Sequence, residues 1–253
     1  KRSDRYRILK DLGWSNKKIE ESFQVPLSMK LFSWNGEIDT VLNPNDSIRY
    51  YKSILRAGLL SMDPNTGFVK AWVGGVDFKH FSYDHVKQSK RQVGSTIKPF
   101  VYSTALTMEV VKPCTRFDSG NPMCVEYGPG LSRRWCPRGN IPGNATVAMG
   151  LAVSSNAITA VVMEKMGGNA GPKNISKLLK SLEINLRPED EVPSMCLGVM
   201  DLSLYQIVGA QSMFVNHGIY IRPTTILRIE DRNGNVIYSA DPHSKEVLNS
   251  GIA

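Results

Sequence analysis

Along the chain, the sharpest alternation between apolar and polar blocks lies at residues 57–75. Ala57 to Met62 is largely apolar, Asp63-Pro64-Asn65-Thr66-Gly67 carries turn chemistry, and Phe68 to Val73 is apolar and aromatic again, ended by Gly74-Gly75. This pattern predicts a β-hairpin with a loop of about five residues. From Gly94 to Val111 the apolar period lengthens to that of a helix. Thr146 to Met166 reads as helix with an interruption at Ser154-Ser155-Asn156, and Lys173 to Leu182 and Asp201 to Phe214 read as amphipathic helices. Thr115 to Gly143 holds one Pro- or Gly-rich break after another and reads as a long loop region, of a length often kept for function. Ile219 to Ile229 and Val236 to Tyr238, parted by Asp231-Arg232-Asn233-Gly234-Asn235, give a second hairpin signal. Ahead of all this, the first 57 residues have the look of a connector. They hold a short capped helix at Ser15 to Ser22, extended segments around Phe32 and Trp34, and a helix near Ser47 to Arg56. No internal repeat is present.

Composition adds limits. Apolar residues are 42% and charged residues 21% of 253, ordinary globular usage that argues against disorder or a fibrous repeat. The 31 Lys plus Arg exceed the 23 Asp plus Glu for a formal charge of +8, which allows an anionic partner without requiring one. The basic clusters Lys1-Arg2, Lys87 with Lys90-Arg91, and Arg133-Arg134 are scattered and fit no nucleic-acid-binding motif, so no nucleic acid is expected as a partner. The best apolar stretch, Val147 to Met163, is broken by Ser154, Ser155 and Asn156, and falls short of the roughly 18 residues a spanning helix needs. The start lacks the apolar core of a signal peptide. Cys114, Cys124 and Cys136 cluster while Cys196 stands apart, and none of the spacings suits zinc. One disulfide within the cluster, as in an extracytoplasmic protein, and buried free thiols are both open readings. The sequence does not choose a pairing.

Two short polar elements carry the candidate chemistry. In Gly94-Ser95-Thr96-Ile97-Lys98-Pro99, the proline fits only within the first turn of a helix, which puts Ser95 at or just before the helix start. Ser95 and Lys98, three apart, then share a face within hydrogen-bond reach. A neutral, partly buried lysine can take the proton of a serine hydroxyl, and the helix N-terminus favours an oxyanion. The spacing alone is common: Ser15 to Lys18 repeats it as an ordinary N-cap with a solvated lysine. Ser154-Ser155-Asn156 interrupts an apolar helical stretch, so its side chains should face a cleft or bond to one another. Ser33-Trp34-Asn35 and Ser119-Gly120-Asn121 share its spacing but sit in turn-like surroundings.

In its wider context, Arg91-Gln92-Val93-Gly94-Ser95-Thr96-Ile97-Lys98-Pro99-Phe100-Val101-Tyr102 resembles the nucleophile segment of the bifunctional class A penicillin-binding proteins, and Ala152-Val153-Ser154-Ser155-Asn156 resembles their second motif. Further pieces agree in order: Asp63 to Gly67 with Ala71 to Gly75, Trp135-Cys136-Pro137 with Asn140, Pro193 to Gly198, and Asn216 to Pro223. The resemblance implies an α+β penicillin-binding and β-lactamase-like transpeptidase fold, an antiparallel sheet flanked by helices, over residues 46–253. Residues 1–45 would be a connector from an upstream, membrane-anchored glycosyltransferase region. It implies a D,D-transpeptidase on the extracytoplasmic, periplasmic face of the bacterial inner membrane. Such an enzyme cross-links peptidoglycan stem peptides ending in D-Ala-D-Ala, is acylated by β-lactams and needs no cofactor. Carried over residue by residue, Ser95 is the nucleophile, with its N–H half of the oxyanion hole. Lys98 is the activating base, Ser154 the hydroxyl that relays a proton to the leaving group, and Asn156 the amide that holds the substrate backbone.

One element of that family pattern is missing. No Lys-Thr-Gly or Lys-Ser-Gly occurs; Lys165-Met166-Gly167 and Asn249-Ser250-Gly251 each depart from it. The expectation is that the chain stops before the strand carrying that motif, leaving the fold incomplete at its C-terminus and the activity impaired. The alternatives are a non-catalytic binding or scaffold module on the same fold, and a serine β-lactamase, for which no deacylating base stands out.

Overall fold

The computed structural model describes residues 3–118, 120, 121, 123–141 and 143–253. The basic pair Lys1-Arg2 and the first residue of the Ser119-Gly120-Asn121 match therefore lie outside the described residues. The chain divides into two compact units, one of residues 1–57 with 77–82, the other of 58–76 with 83–253. The stretch 1–45, expected to be a connector, lies within the first.

The first unit holds helices α1 (Asp4–Asp11) and α2 (Asn16–Ser22), strands β1 (Leu27–Ser33) and β2 (Gly36–Leu42), and helix α3 (Pro44–Ser53). Ser15 caps α2 by accepting the Lys18 N–H, as its sequence suggested. Helix α1 was not expected: it buries no residue, so it writes no apolar stripe into the sequence. The extended segments form an antiparallel hairpin in which Leu31 and Phe32, on opposite faces of β1, are both buried. Helix α3 is tied to it through Tyr50, whose hydroxyl donates to Phe32 O at 2.7 Å, and Tyr51, whose hydroxyl accepts the Phe32 N–H at 3.2 Å.

The second unit opens with the hairpin β3 (Leu59–Met62) and β4 (Val69–Val73), paired antiparallel as the sequence indicated. Its loop is built on Asp63, which accepts the Asn65 N–H on its side chain and the Gly67 N–H on its carbonyl. Two long stretches follow that are buried almost all round: α4 (Lys98–Thr107), reached through the short strand β5 (Arg91–Gln92) and a 3₁₀ turn at Gly94–Ile97, and α6 (Asn156–Met166). Phe100, Val101, Tyr102 and Ala105 of α4 join Ile158, Val161, Val162 and Met163 of α6 in one core. Helices buried on every side are central ones.

Thr115 to Gly143, expected to be a long loop region, instead contains β6 (Arg116–Phe117) and the hairpin β7 (Val125–Tyr127) and β8 (Arg133–Trp135); β9 (Ala145–Thr146), just beyond it, pairs with β6. These strands are two or three residues long, too short to show alternation. A disulfide between Cys124 and Cys136 closes the β7–β8 hairpin, with Cys114 exposed and Cys196 buried as free thiols. Val125 is buried, and Trp135 packs against the core. The hairpin also approaches the C-terminal end of α6 at Gly168, where a Cβ would come within 1.9 Å of Glu126 O.

Helix α5 (Val147–Ala152) precedes α6, and α7 (Ala170–Ser181) turns Ile175 and Leu179 inward and Lys173, Lys177 and Lys180 outward. Strand β10 (Asp201–Leu202) pairs with β5, and α8 (Leu204–Val215) starts from a capping box of Ser203 and Gln206. The predicted strand Ile219 to Ile229 is two strands. β11 (Ile219–Ile221) pairs with β14 (Ser244–Glu246), and β12 (Arg228–Glu230) pairs with β13 (Val236–Ser239). Pro223, which has no N–H to give a ladder, falls in the break. The remaining predicted helices, Lys173 to Leu182 and Asp201 to Phe214, hold as α7 and α8 within a few residues.

Candidate active site

Local sequence explains the turn at Ser95. Gly94 takes φ +55°, a region open to glycine, and leads into the 3₁₀ turn. Pro99, lacking an N–H, fills the second position of α4, where no intrahelical donor is needed. In a 3₁₀ turn, residues three apart are eclipsed, so Ser95 and Lys98 project from the same side. Ser95 is exposed while the Lys98 side chain is 1% exposed, beneath the turn. The serine is at the surface and the amine is buried.

The break in the second helical stretch is a real one. α5 ends at Ala152, Ser154 adopts φ +54°, and Ser155 caps α6 by accepting the Ile158 N–H. A non-glycine residue in the left-handed region costs about 1–3 kcal/mol and persists where the surroundings demand it. What the conformation accomplishes is visible in its contacts. Lys98 Nζ donates to Ser154 O at 2.6 Å, to Ser154 Oγ at 3.1 Å and to Asn156 Oδ1 at 2.7 Å. The positive φ turns carbonyl and hydroxyl of one residue toward the same amine. Three acceptors match the three N–H groups of an ammonium. One contact lower, Tyr102 OH and Thr159 Oγ1 pair at 3.1 Å, locking α4 to α6 directly beneath the cluster.

Three of the four residues singled out from sequence, Lys98, Ser154 and Asn156, are thus joined by hydrogen bonds. Ser95 is on the same turn, but among the described residues its hydroxyl is not one of the Lys98 partners, contrary to the contact expected from spacing. Burial pushes the Lys98 amine below its ordinary value, with Cys196 opposing. Burial pushes the Cys196 thiol up to about 12, so it stays protonated beside the amine.

Residues that sequence reasoning missed are those that clamp the Ser95 turn from outside. The Gly94 N–H donates to Gly198 O at 3.0 Å and the Val93 N–H to Met200 O at 3.1 Å, continuing into the β5–β10 pairing of Gln92 with Asp201 and Arg91 with Leu202. Gly198, at φ +74°, ends the 3₁₀ turn Pro193–Leu197 and packs backbone to backbone on Gly94. A Cβ on it would lie 2.0 Å from Gly94 O. Its signal in the sequence was only a glycine closing Pro193 to Gly198. The other SxN spacing among described residues, Ser33-Trp34-Asn35, is the β1–β2 turn, with Ser33 Oγ accepting the Asn35 N–H.

An exposed hydroxyl at a helix N-terminus, over a buried amine held by a second polar triad, is equipment for acyl transfer through a serine. The family model for the penicillin-binding protein transpeptidase domain matches residues 57–251, and that for the penicillin-binding protein middle domain matches residues 1–55. Penicillin-binding protein 1A of Rickettsia prowazekii is 36% identical over 202 residues, 79% of this chain and 24% of the relative. The protein of the same name from Pseudomonas aeruginosa is 32% identical over 193 residues, 74% of this chain and 22% of the relative. The chain therefore spans about a quarter of the length of the curated relatives it matches.

Among solved structures, penicillin-binding protein 1A from Haemophilus influenzae superposes with a TM-score of 0.63 at 22% identity, over 85% of this chain and 30% of that one. The transpeptidase domain of penicillin-binding protein 3 from Burkholderia pseudomallei gives 0.58 at 19% identity, over 82% of this chain and 62% of that one. These two likenesses show the fold, helices with antiparallel strands in the penicillin-binding transpeptidase arrangement. Since the family match takes in both polar elements and the Gly198 clamp on the Ser95 turn, the chain belongs to the penicillin-binding protein transpeptidase family.

Proposed function

We propose that this chain carries the acylation machinery of a serine D,D-transpeptidase that cross-links peptidoglycan stem peptides at the periplasmic face of the bacterial inner membrane. The observation that carries the reading is the three-way hold of Ser154 and Asn156 on the buried Lys98 amine, one 3₁₀ turn from an exposed Ser95. Lys98, once neutral, takes the Ser95 Oγ proton as Oγ attacks the penultimate D-alanine carbonyl. The C–N bond breaks, and the proton returns through Ser154 Oγ to the amine of the departing D-alanine. The Ser95 N–H, at the head of α4, faces the developing oxyanion, and Asn156 holds the substrate backbone. An amine from a second stem peptide takes the acyl group from Ser95.

Burial supports the role of Lys98, since a lowered pKa is what lets a lysine act as base. In the resting arrangement all three N–H positions are occupied by acceptors, as an ammonium requires. Loss of one proton frees a single lone pair, to which Ser95 Oγ–H can donate, while Ser154 O and Asn156 Oδ1 keep the two remaining N–H groups. A β-lactam carbonyl would enter the same sequence and stop at the acyl-enzyme. The 253 residues contain no Lys-Thr-Gly or Lys-Ser-Gly to receive the substrate carboxylate, so acylation by this chain is expected to be slow.

Incubation with a labelled penicillin, followed by peptide mass spectrometry, tests the reading. An adduct on Ser95 that vanishes in Ser95→Ala and in Lys98→Ala is the expected result. No adduct after long incubation would support a non-catalytic module on this fold. Rapid turnover of the label, with hydrolysed product and no adduct, would point to a β-lactamase.

A further inference from the structure

Thr96 sits between the two residues of the Ser95 turn, and its carbonyl has an unusual donor. Gln211, on α8, gives its side-chain N–H to Thr96 O at 3.1 Å, across 115 positions of sequence. The neighbouring carbonyls are served from within the turn: Val93 O accepts the Thr96 N–H at 3.4 Å and Thr96 Oγ1 at 2.7 Å, and Ser95 O accepts the Lys98 N–H. For Thr96 O the 3₁₀ partner would be residue 99, which is Pro99 and has no N–H. The proline that lets α4 begin here removes the local donor, and a glutamine from a distant helix replaces it. Gln211 itself has a firm footing, because its neighbours Ala210, Ser212 and Met213 are buried.

We propose that Gln211 is a positioning residue of this site: its amide pins the Thr96 peptide and so sets the aim of Ser95 relative to Lys98. The proposal rests on reading Ser95 as the nucleophile. An acceptor is of no use against a carbonyl, so the chemistry needs a donor at position 211 and not merely a side chain of that size. The clamp at Gly198 holds the turn from its N-terminal side and Gln211 holds it from its middle, which together leave the hydroxyl of Ser95 as its free end.

The test uses the isosteric variant Gln211→Glu beside Gln211→Ala, with two readouts: the rate of Ser95 labelling by a penicillin across pH, and amide hydrogen exchange of residues 93–98. At neutral pH the carboxylate variant should label about 3- to 10-fold more slowly than the parent chain, the worth of one hydrogen bond. Its rate relative to the parent should recover as pH falls through the carboxyl range near about 4–5, where the protonated acid donates to Thr96 O. Both variants should exchange faster in 93–98 with the interior of α4 unchanged. Parent-like labelling and exchange in both variants would overturn the proposal, as would a defect that stays constant with pH. Should the parent chain form no adduct, the nucleophile reading fails by itself; faster exchange in 93–98 would still uphold the hold of Gln211 on the turn, and unchanged exchange would refute it.

Discussion

Replacing Gly198 by alanine probes how the Ser95 turn is held. Two separable effects are built into the position. The first is conformational: at φ +74° an L-residue with a Cβ is disfavoured by about 1–2 kcal/mol. The second is steric: the new methyl carbon would sit 2.0 Å from Gly94 O and 2.5 Å from Gly94 N, so one backbone must retreat from the other. Retreat strains the Gly94 to Gly198 bond of 3.0 Å and the adjoining Val93 to Met200 bond of 3.1 Å, each worth about 0.5–1.5 kcal/mol. Gly198→Ala should therefore cost about 2–5 kcal/mol in a denaturant titration, and slow labelling of Ser95 by a penicillin by at least about tenfold. Gly234→Ala supplies the control, because φ is +83° there but nothing lies within 4 Å of the built Cβ. It should lose only the conformational part and label normally. Equal stability losses in the two variants, or an unslowed Ser95 in Gly198→Ala, would show that the Gly94 approach does not hold the turn.

The labelling rate of the parent chain should climb with pH along a limb whose midpoint lies below 10.5, the ordinary lysine value, since burial lowers the Lys98 pKa and the proposed base is its neutral amine. Lys98→Ala should remove the limb and cut the rate by about 10²- to 10⁴-fold, read from the same pH series. Ser154→Gly should keep stability within about 1 kcal/mol, because glycine relieves φ +54° while adding chain entropy, yet label at least tenfold more slowly for want of the hydroxyl on Nζ; a rate equal to the parent would remove Ser154 from the proton path. Replacing Cys124 and Cys136 together by serine should cost about 2–4 kcal/mol in thermal unfolding, the usual effect of opening a short loop, and melting unchanged by the double substitution would mean that β7–β8 holds itself.

What could be read in advance depended on how local each cause was. The β3–β4 hairpin was legible because Asp63 makes its own turn within five residues, and α2 because Ser15 caps it three residues on. Helix α1 was invisible since it buries nothing, and β11 was over-extended because its partner, β14, is a wholly exposed stretch with no alternation. The same division runs through the site. Ser154 and Asn156 announced themselves as a polar break in an apolar stretch, and Lys98 by its spacing from Ser95 just ahead of Pro99. Gly198 and Gln211, which act on the backbone of residues 94 and 96 from more than a hundred positions away, left no local pattern in the sequence to mark them.

The interruption at Ser154 shows why the polar break was the more trustworthy signal of the two motifs. A continuous helix from Val147 to Met166 would have pointed the Ser154 carbonyl along its own axis, where a helical N–H would consume it. Breaking the helix in the left-handed region releases that carbonyl and directs it, with Oγ, at Nζ of Lys98. The strain at one residue thus supplies two of the three acceptors that a buried ammonium needs, and Asn156, the first residue of the resumed helix, supplies the third. A buried lysine without such partners would be expelled or neutral. With them it is held in place as an ammonium, and the proposed base role needs it to give up one of those protons first, so that Nζ can then accept the proton of Ser95 Oγ. The break in the apolar pattern and the lysine's burial are therefore one structural decision, written twice in the sequence.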